Sequence, residues 1–351
     1  MQRLAVFCLR GFHLSRRQIS GQLILFLLCL TIFITLLSVL GQIEEVITQA
    51  LSLFYHTPSS ISSDQVSLIS VPRILISPPN ICVSPLLLLI LVPSSPSHLK
   101  QRDAIRETWG RSSPSDGFRR LFLLGIPQTQ EQRIIVDQEV ALHGDIILAD
   151  FLDSYRNLTL KTLAGLAWAS QRCSSAKYIL KVDDDVFVNT VLLMQFLQGQ
   201  KELLYMGRVQ WRVRTDRNPS SRHYMPEDAY EYSHYPPYCG GPAYVLAQEA
   251  IRLLLQQEWN SPLPPVEDAF IGILAWAAGV PPLHIAKMSG SMFFPHEHCC
   301  YRTIFTSHGL SPRGMREAWN LLADSRNSWC PLAMLQCMLF GQYVENGEKL
   351  I

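Results

Sequence analysis

Residues 85–92 (PLLLLILV) form a continuous apolar run next to Pro93. Such a run is typical of a strand buried on both faces, as in parallel sheets covered by helices. Other short apolar runs alternate with segments of helical pattern: runs at 120–125, 145–148 and 178–183, and helical segments at 97–109, 128–143 and 157–170. This alternation predicts an α/β fold with a mostly parallel sheet, whose functional groups gather at the carboxyl ends of its strands.

Three aspartates, Asp183, Asp184 and Asp185, follow the last of these strands. Adjacent carboxylates repel one another and lose hydration unless a positive charge lies between them. Asp183 and Asp185 form an Asp-x-Asp pair whose hard oxygen ligands suit Mn²⁺ or Mg²⁺. A solvated acidic turn is the alternative, but the buried strand favours a metal site. Because the chain has no glycine-rich phosphate loop, a diphosphate ligand would need this metal and side chains.

Residues 19–40 carry no charge and match the hydrocarbon thickness of a bilayer. Four arginines and no acid precede them, which predicts a type II signal-anchor with a cytoplasmic tail at residues 1–18. A cleaved signal peptide is the alternative, but its apolar region is normally shorter and closed by small residues. Residues 41–80, with serine and proline clusters, are predicted to form a stem.

Residues 81–351 are long enough for one sizeable core in the lumen. All 29 acidic residues but only part of the 30 basic ones lie beyond the anchor, so no nucleic acid partner is expected. Seven cysteines also follow it: Cys82, Cys173, Cys239, Cys299, Cys300, Cys330 and Cys337. Without a Cys-x-x-C pair they favour disulfides over a zinc ribbon, and the odd count leaves at least one thiol. Asn157 lies in an Asn-Leu-Thr glycosylation sequon.

Two segments of the second half carry candidate ligand groups. Residues 235–242 (YPPYCGGP) are expected to be irregular, with Gly240 and Gly241 allowing close backbone approach to a ligand. Tyr238 offers a stacking face for a sugar ring, although a purely structural turn is the alternative. Glu267 and Asp268 open an apolar helix, where carboxylates also serve as N-terminal caps.

Several segments follow in order along the chain: RDAIRETWG, FLLG, GDII, DFLDSYRNLTLKT, KVDDDVFVN, YPPY and EDAFIG. They resemble motifs of the Golgi β1,3-glycosyltransferases, and of the β1,3-galactosyltransferase branch in particular. YMGRVQWRV, SRH, CCY and TSH resemble the branch that extends the terminal GalNAc of gangliosides. The resemblance covers about residues 85–320 and implies a GT-A glycosyltransferase fold with a Rossmann-like sheet. It also implies a UDP-sugar donor, a Mn²⁺-type metal and inversion at the anomeric carbon.

The chain departs from the family pattern at Ala269, where Val is usual, and at Cys239, where a small residue is usual. The second departure leaves six shared luminal cysteines, which implies three disulfides and a free thiol at Cys239. Fifteen pairings of the six remain possible.

The resemblance also implies roles for individual residues. Inversion needs a carboxylate that takes the proton of the acceptor hydroxyl, and Asp268 matches the base, with Glu267 as an orienting or acceptor-binding group. Asp185, Asp183 and His308 match the metal site, although a histidine there could also be ordinary core or surface. The expected donor-binding residues are Arg102, Arg106, Asp183 and Asp184. The two arginines would act through contacts to phosphate or through carboxylates that line the site, with ordinary helix surface as the alternative.

An arginine cluster (Arg208, Arg212, Arg214, Arg217 and Arg222) is either a solvated loop or a site for the carboxylate of a sialylated acceptor. The expected acceptor-binding residues are Glu267, Trp211, Arg212, Arg214, Tyr238, Gly240 and Gly241.

The expected function is transfer of galactose from UDP-galactose, in β1,3 linkage, to a terminal GalNAc or other HexNAc of a glycolipid in the Golgi membrane. A β1,3-N-acetylglucosaminyltransferase acting on glycoprotein or poly-lactosamine acceptors is the alternative, and Val182 before the aspartates favours the galactosyl branch. A non-catalytic Golgi sugar-binding protein is the alternative of another class. The presence of Asp183, Asp185, Asp268 and His308 argues against it.

Overall fold

The computed structural model describes residues 21, 23–36, 42–53, 69–79, 81–82, 85–113, 116–290, 292–294, 298–323, 342–345 and 348–349. The predicted cytoplasmic tail, part of the predicted anchor, Cys330 and Cys337 lie outside these residues. Within the described part of the chain, no helix is both long and apolar enough to cross a membrane.

Ten α-helices, one 3-10 helix (Tyr155–Asn157) and thirteen strands occur among the described residues. The helices are α1 (residues 23–36), α2 (Gln42–Leu53), α3 (Leu99–Glu107), α4 (Gln130–His143), α5 (Leu158–Arg172), α6 (Thr190–Leu197), α7 (Gln248–Leu255), α8 (Glu267–Ala277), α9 (His298–Tyr301) and α10 (Pro312–Ala323). The strands are β1 (Ile74–Ile76), β2 (Leu86–Pro93), β3 (Phe118–Ile126), β4 (Ile146–Leu152), β5 (Ala176–Val182), β6 (Phe187–Val188), β7 (Tyr205–Gln210), β8 (Tyr238–Ala247), β9 (Leu283–His284), β10 (Met292–Phe293), β11 (Thr306–Ser307), β12 (Gln342–Glu345) and β13 (Glu348–Lys349).

The main sheet has eight strands in the order β1-β4-β3-β2-β5-β8-β7-β9. The four central strands β4, β3, β2 and β5 are parallel, and β8 runs antiparallel to both β5 and β7. Leu88, Leu89 and Ile90 of β2 have no exposed surface, as expected for a strand covered on both faces. The predicted α/β fold with a mostly parallel sheet is therefore confirmed, and it agrees with the GT-A architecture that the resemblance implies.

The register of β2 and β5 fixes the position of the aspartates. Leu91 lies opposite Lys181, so Ser94 and Asp183 follow their strands at the same edge of the sheet. Helix α8 packs on β8 nearby. A Cβ on Gly272 of α8 would lie 2.2 Å from the Cβ of Tyr238, so only glycine lets the helix approach this closely.

The structure differs from the sequence-based expectation in two places. Residues 238–242 of the segment expected to be irregular belong to β8, because Tyr238 and Cys239 pair with β7 and the strand continues into residues 243–247, which pair with β5. These pairings outweigh the local turn preference. The predicted stem contains α2, which contacts β9, and β1, which pairs with β4 at the edge of the main sheet.

One disulfide joins Cys82 to Cys173, and Cys239 is a buried free thiol. Cys299 and Cys300 each take part in a disulfide bond. The free thiol implied at Cys239 is therefore confirmed.

Candidate active site

A cleft of about 610 Å³ opens where β5, β8 and the start of α8 meet. Eight of the sequence-predicted residues line it: Asp183, Asp185, Tyr238, Gly240, Gly241, Glu267, Asp268 and His308. Sequence reasoning missed several others, among them Tyr155, Lys181, Gln210 and His223. The carboxyl end of β5 thus contributes to the cleft, as expected for this class of sheet.

The buried ammonium of Lys181 holds Asp183. Its Nζ donates to Oδ1 of Asp183 and to the carbonyl of Gly241, both at 2.7 Å. Burial lowers the pKa of Lys181, but the charges of Asp183 and Glu267 outweigh burial and raise this pKa above its ordinary value. Burial raises the pKa of Asp183 to about 7, against the opposing charge of Lys181. Asp183 is therefore engaged by a cation of the protein itself, which disfavours it as a direct metal ligand.

Asp185 and His308 come together because β6 and β11 pair directly beside them. Ser307 lies opposite Phe187, which brings Nε2 of His308 to 3.4 Å from Oδ2 of Asp185. Burial lowers the pKa of His308, whereas the hydrogen bond and charge of Asp185 raise it, with a net upward shift.

This pair is the best candidate for a metal site. No group of three or more His, Cys, Asp or Glu side chains could hold an ion within the residues that the structure describes. Two protein ligands still suit Mg²⁺ or Mn²⁺, because such ions commonly take their remaining ligands from substrate phosphates and water. The donor set of Asp185 and His308 fits a metal of this kind.

Asp184 points away from the cleft lining and toward the end of β2. Its Oδ2 accepts a 2.6 Å hydrogen bond from Ser94 and lies 2.9 Å from Nδ1 of His98. The hydrogen bond and charge of Asp184 raise the pKa of His98, although burial opposes them. His98 is the partly exposed member of this group and lies at the carboxyl edge of the parallel strands.

Asp268 projects from the first turn of α8 into the cleft. Its Oδ2 accepts a 2.7 Å hydrogen bond from the backbone N–H of Gly241, and its Oδ1 accepts one of 2.9 Å from Ala269. Burial and the neighbouring charge of Glu267 raise the pKa of Asp268 to about 6, against the opposing effects of Lys181 and the two amides. A carboxylate with this pKa, reachable from the cleft, suits a general base near neutral pH.

Glu267 occupies a different environment from its neighbour. Its carboxylate accepts a hydrogen bond from the hydroxyl of Tyr244 and lies 3.3 Å from Nζ of Lys181. Its side chain is only 2% exposed. Of the two roles considered for Glu267, its position favours orientation over direct acceptor contact.

Arg102 and Arg106 bind carboxylates of the protein and do not line the cleft. Arg102 has no exposed surface, and its guanidinium donates two hydrogen bonds of 2.7 Å to Glu139. Arg106 donates two hydrogen bonds to Asp145, at 2.8 and 2.9 Å. Both arginines therefore stabilise the packing of α3, and neither lines the cleft. Arg102 reaches Asp184 only indirectly, because it also donates to Ser94.

The arginine cluster divides into three environments. Arg208 is buried and donates to the carbonyl of Ala286, and Arg217 donates to the carbonyls of Met225 and Tyr230. Arg212 and Arg214 are exposed. Neither of them lines the cleft, and Trp211 does not line it. Arg222 is the member of the cluster that lines the cleft. It donates a hydrogen bond to Nε2 of His223, which also lines the cleft.

The glycosylation sequon lies next to the cleft residue Tyr155. The Nδ2 of Asn157 donates a 2.8 Å hydrogen bond to the carbonyl of Leu152, and the hydroxyl of Thr159 donates to Pro264. Both sequon side chains thus have structural contacts, and attachment of a glycan to Asn157 stays a prediction.

Comparison with known proteins agrees with these features. The family described as Galactosyltransferase matches residues 100–286. The chain is 39% identical over 338 residues to beta-1,3-galactosyltransferase 4 of Mus musculus, covering 86% of this chain and 90% of that protein. It is 38% identical over 346 residues to the Homo sapiens protein of the same name, with coverages of 87% and 90%. It is also 35% identical over 254 residues to N-acetyllactosaminide beta-1,3-N-acetylglucosaminyltransferase 4 of Mus musculus, with coverages of 70% and 73%. The chain belongs to the β1,3-galactosyltransferase family.

Proposed function

We propose that this hexosyltransferase moves galactose from UDP-galactose, with inversion, onto the 3-hydroxyl of a terminal GalNAc or other HexNAc of a glycolipid. The observation that carries the proposal is the shared cleft of Asp268 and the Asp185–His308 pair. It combines a carboxylate suited to proton removal with ligands suited to a metal–diphosphate group. The chain is 39% identical to beta-1,3-galactosyltransferase 4 of Mus musculus and 35% identical to the N-acetylglucosaminyltransferase, which supports galactose as the sugar.

Asp185 and His308 would hold Mn²⁺, or Mg²⁺ in its place. When bound, this ion supplies charge neutralisation for the leaving UDP. We assign the nucleoside to the edge formed by Ser94, His98 and Asp184, since ligands of such sheets bind beyond the carboxyl ends of the strands. Lys181 keeps Asp183 and Glu267 in place beneath the reacting groups.

Asp268 would take the proton from the acceptor 3-hydroxyl as that oxygen attacks the anomeric carbon. The amide of Gly241 fixes its Oδ2, so the carboxylate does not have to be oriented when the acceptor binds. Tyr238 lines the same cleft and offers an aromatic face to the acceptor sugar.

The enzyme would lie in the Golgi membrane with its active site in the lumen. The uncharged segment at residues 19–40 and the arginines before it support a type II anchor.

The test uses the full-length protein in detergent with Mn²⁺, either UDP-galactose or UDP-GlcNAc, and soluble oligosaccharides ending in GalNAc, GlcNAc or galactose. We expect galactose transfer to the GalNAc-ended acceptor. It should be about 10³-fold slower in Asp268→Asn and unchanged in Asp228→Asn, which alters an exposed aspartate. Transfer only from UDP-GlcNAc would establish the alternative donor. A folded protein with no transfer from either donor would contradict the enzymatic assignment.

A further inference from the structure

Helix α2 is packed against the catalytic domain in an unusual orientation. On its inner side, Thr48 is buried, and a carboxylate oxygen of Glu45 accepts a hydrogen bond of 3.4 Å from the backbone N–H of Ala286. On its outer side, Val46, Ile47 and Leu51 are 65, 55 and 49% exposed. An amphipathic helix of a soluble domain normally turns its apolar side toward the core. Here that side faces outward.

The exposed side chains form one surface on the helix. Val46, Ile47, Ala50 and Leu51 are all exposed, and at 3.6 residues per turn they occupy a continuous stripe. We call this stripe the α2 apolar face. A contiguous apolar surface of this kind, unlike scattered single residues, indicates a contact with a membrane or another protein.

Of these two contacts, the position of α2 in the chain favours the membrane. Only residues 37–41 separate α2 from the end of α1, so the two helix ends lie within about 20 Å of each other. Helix α1 is also covered with exposed apolar side chains, for example Phe26, Ile32 and Phe33. With α1 in the anchor, the start of α2 lies within about 20 Å of the same bilayer.

From these contacts we infer that the α2 apolar face lies in the membrane interface and holds the cleft close to the bilayer, where a lipid-borne acceptor presents its sugar. Amphipathic helices bind membranes in this way, with the apolar face at the boundary between headgroups and acyl chains. The inference rests on the anchor and the glycolipid acceptor of the proposed function.

A short path connects this helix to the cleft. Ala286, which α2 contacts through Glu45, accepts a hydrogen bond of 3.3 Å from Arg208 of β7. Strand β7 ends at Gln210, which lines the cleft. With one helix and one strand spacing between them, the bilayer surface and β7 are separated by about 15 Å. The acceptor sugar of a lipid has to reach at least this far from the bilayer.

The decisive variant replaces the apolar face with polar side chains that keep helix propensity: Val46→Gln, Ile47→Gln and Leu51→Gln together. Its matched control is Ile134→Gln, Ile135→Gln and Leu142→Gln, three exposed apolar residues of α4. Both full-length variants are reconstituted in vesicles and assayed with a GalNAc-ended glycolipid in the bilayer and with the same glycan as a soluble oligosaccharide. We expect the α2 variant to lose about tenfold in kcat/KM on the glycolipid and less than twofold on the oligosaccharide. The α4 variant should match the wild type on both.

A second measurement does not depend on activity. A photoactivatable reagent confined to the bilayer should label residues of α2 in the wild-type protein, and label neither α4 nor the α2 variant. Absence of label from wild-type α2, or equal glycolipid activity of all three proteins, would overturn the inference. So would a change in molecular mass of the α2 variant in detergent, because a second copy would then cover the face. The same experiment distinguishes failure of this inference from failure of the proposed function. If the proposed function is wrong, the wild type transfers no galactose even to the oligosaccharide.

Discussion

The backbone N–H of Gly241 donates a hydrogen bond of 2.7 Å to Oδ2 of Asp268, across the junction of β8 and α8. This bond fixes the carboxylate that we propose as the base. It also explains why a strand glycine lies here, since a Cβ at Gly241 would be 3.1 Å from the same oxygen.

Replacing Gly241 should therefore impair turnover more than substrate binding. In Gly241→Ala the new methyl group pushes the Asp268 carboxylate out of position, and we expect kcat to fall about tenfold or more with little change in KM. Steady-state kinetics measure this. Gly199→Ala is the control, because a Cβ there meets no atom within 4 Å. A Gly241→Ala enzyme with normal kcat would remove the positioning role of this amide.

The pH dependence of the reaction should include the ionisation of Asp268, besides that of Asp183, whose pKa burial raises to about 7. Burial and Glu267 raise the pKa of Asp268 to about 6, and a base has to be ionised, so kcat/KM should fall about tenfold per pH unit below that value. Since the pKa of this carboxyl group is higher in the folded than in the unfolded chain, its contribution to stability decreases as the pH rises from about 4 to 6. Asp268→Asn should lower kcat about 10³-fold without lowering the melting temperature substantially. A profile of kcat/KM that stays flat down to pH 5 would contradict the assignment.

Lys181 should be essential for the stability of the folded protein as well as for the positions of Asp183 and Glu267. Its buried ammonium compensates Asp183 and Glu267, so Lys181→Met leaves two carboxylates near each other without a cation. Loss of one partner of a buried charge pair typically costs about 3–5 kcal/mol. Chemical denaturation measures the change, with Lys177→Met, an exposed position of the same strand, as the control. Equal stability of the two variants would show that Lys181 is dispensable.

The Mn²⁺ dependence of the activity should change when Asp185 or His308 is replaced. We expect chelation to abolish transfer and added Mn²⁺ to restore it. Asp185→Asn and His308→Gln should raise the Mn²⁺ concentration for half-maximal activity at least tenfold, because each removes one of two protein ligands. Asp137→Asn, at an exposed ion pair, serves as the control. Unchanged metal titration curves in both site variants would place the metal elsewhere.

An acidic acceptor should depend on Arg222 rather than on Arg212 or Arg214. Only Arg222 of these three lines the cleft, so Arg222→Ala should reduce kcat/KM for a sialylated acceptor about tenfold and for its asialo form less than twofold. Arg212→Ala and Arg214→Ala should change neither, in contrast to the expectation from sequence. If Arg222→Ala instead weakened both acceptors equally and raised KM for UDP-galactose, Arg222 would contact the donor.

Several features of the fold follow from local sequence pattern. The apolar runs predicted β2, β3, β4 and β5 to within a few residues, because strands buried on both faces need uninterrupted apolar side chains. The same reasoning did not predict the role of Lys181 in the site, since a lysine within an apolar run only weakens the strand pattern. Its compensating partner Glu267 comes from a helix far along the chain.

The partners of the α3 arginines were not predicted from the sequence. Arg102 and Arg106 lie in a family motif and were expected either to help hold the donor or to be ordinary helix surface. In the structure they bind Glu139 of α4 and Asp145, the residue before β4. A local motif shows that such residues are constrained, but their partners depend on which elements pack beside them.

The sequence by itself determined the α/β alternation, the acidic residues at the end of β5 and at the start of α8, and the family to which the chain belongs. Tertiary structure alone decided which partner each carboxylate has. Lys181 holds Asp183, Tyr244 and Lys181 hold Glu267, and Ser94 and His98 hold Asp184. Asp185 lies beside His308 and Asp268 accepts a hydrogen bond from the amide of Gly241, both in the cleft. The physical reason is that a carboxylate's role depends on the charges and donors around it, and packing brings these from distant parts of the chain.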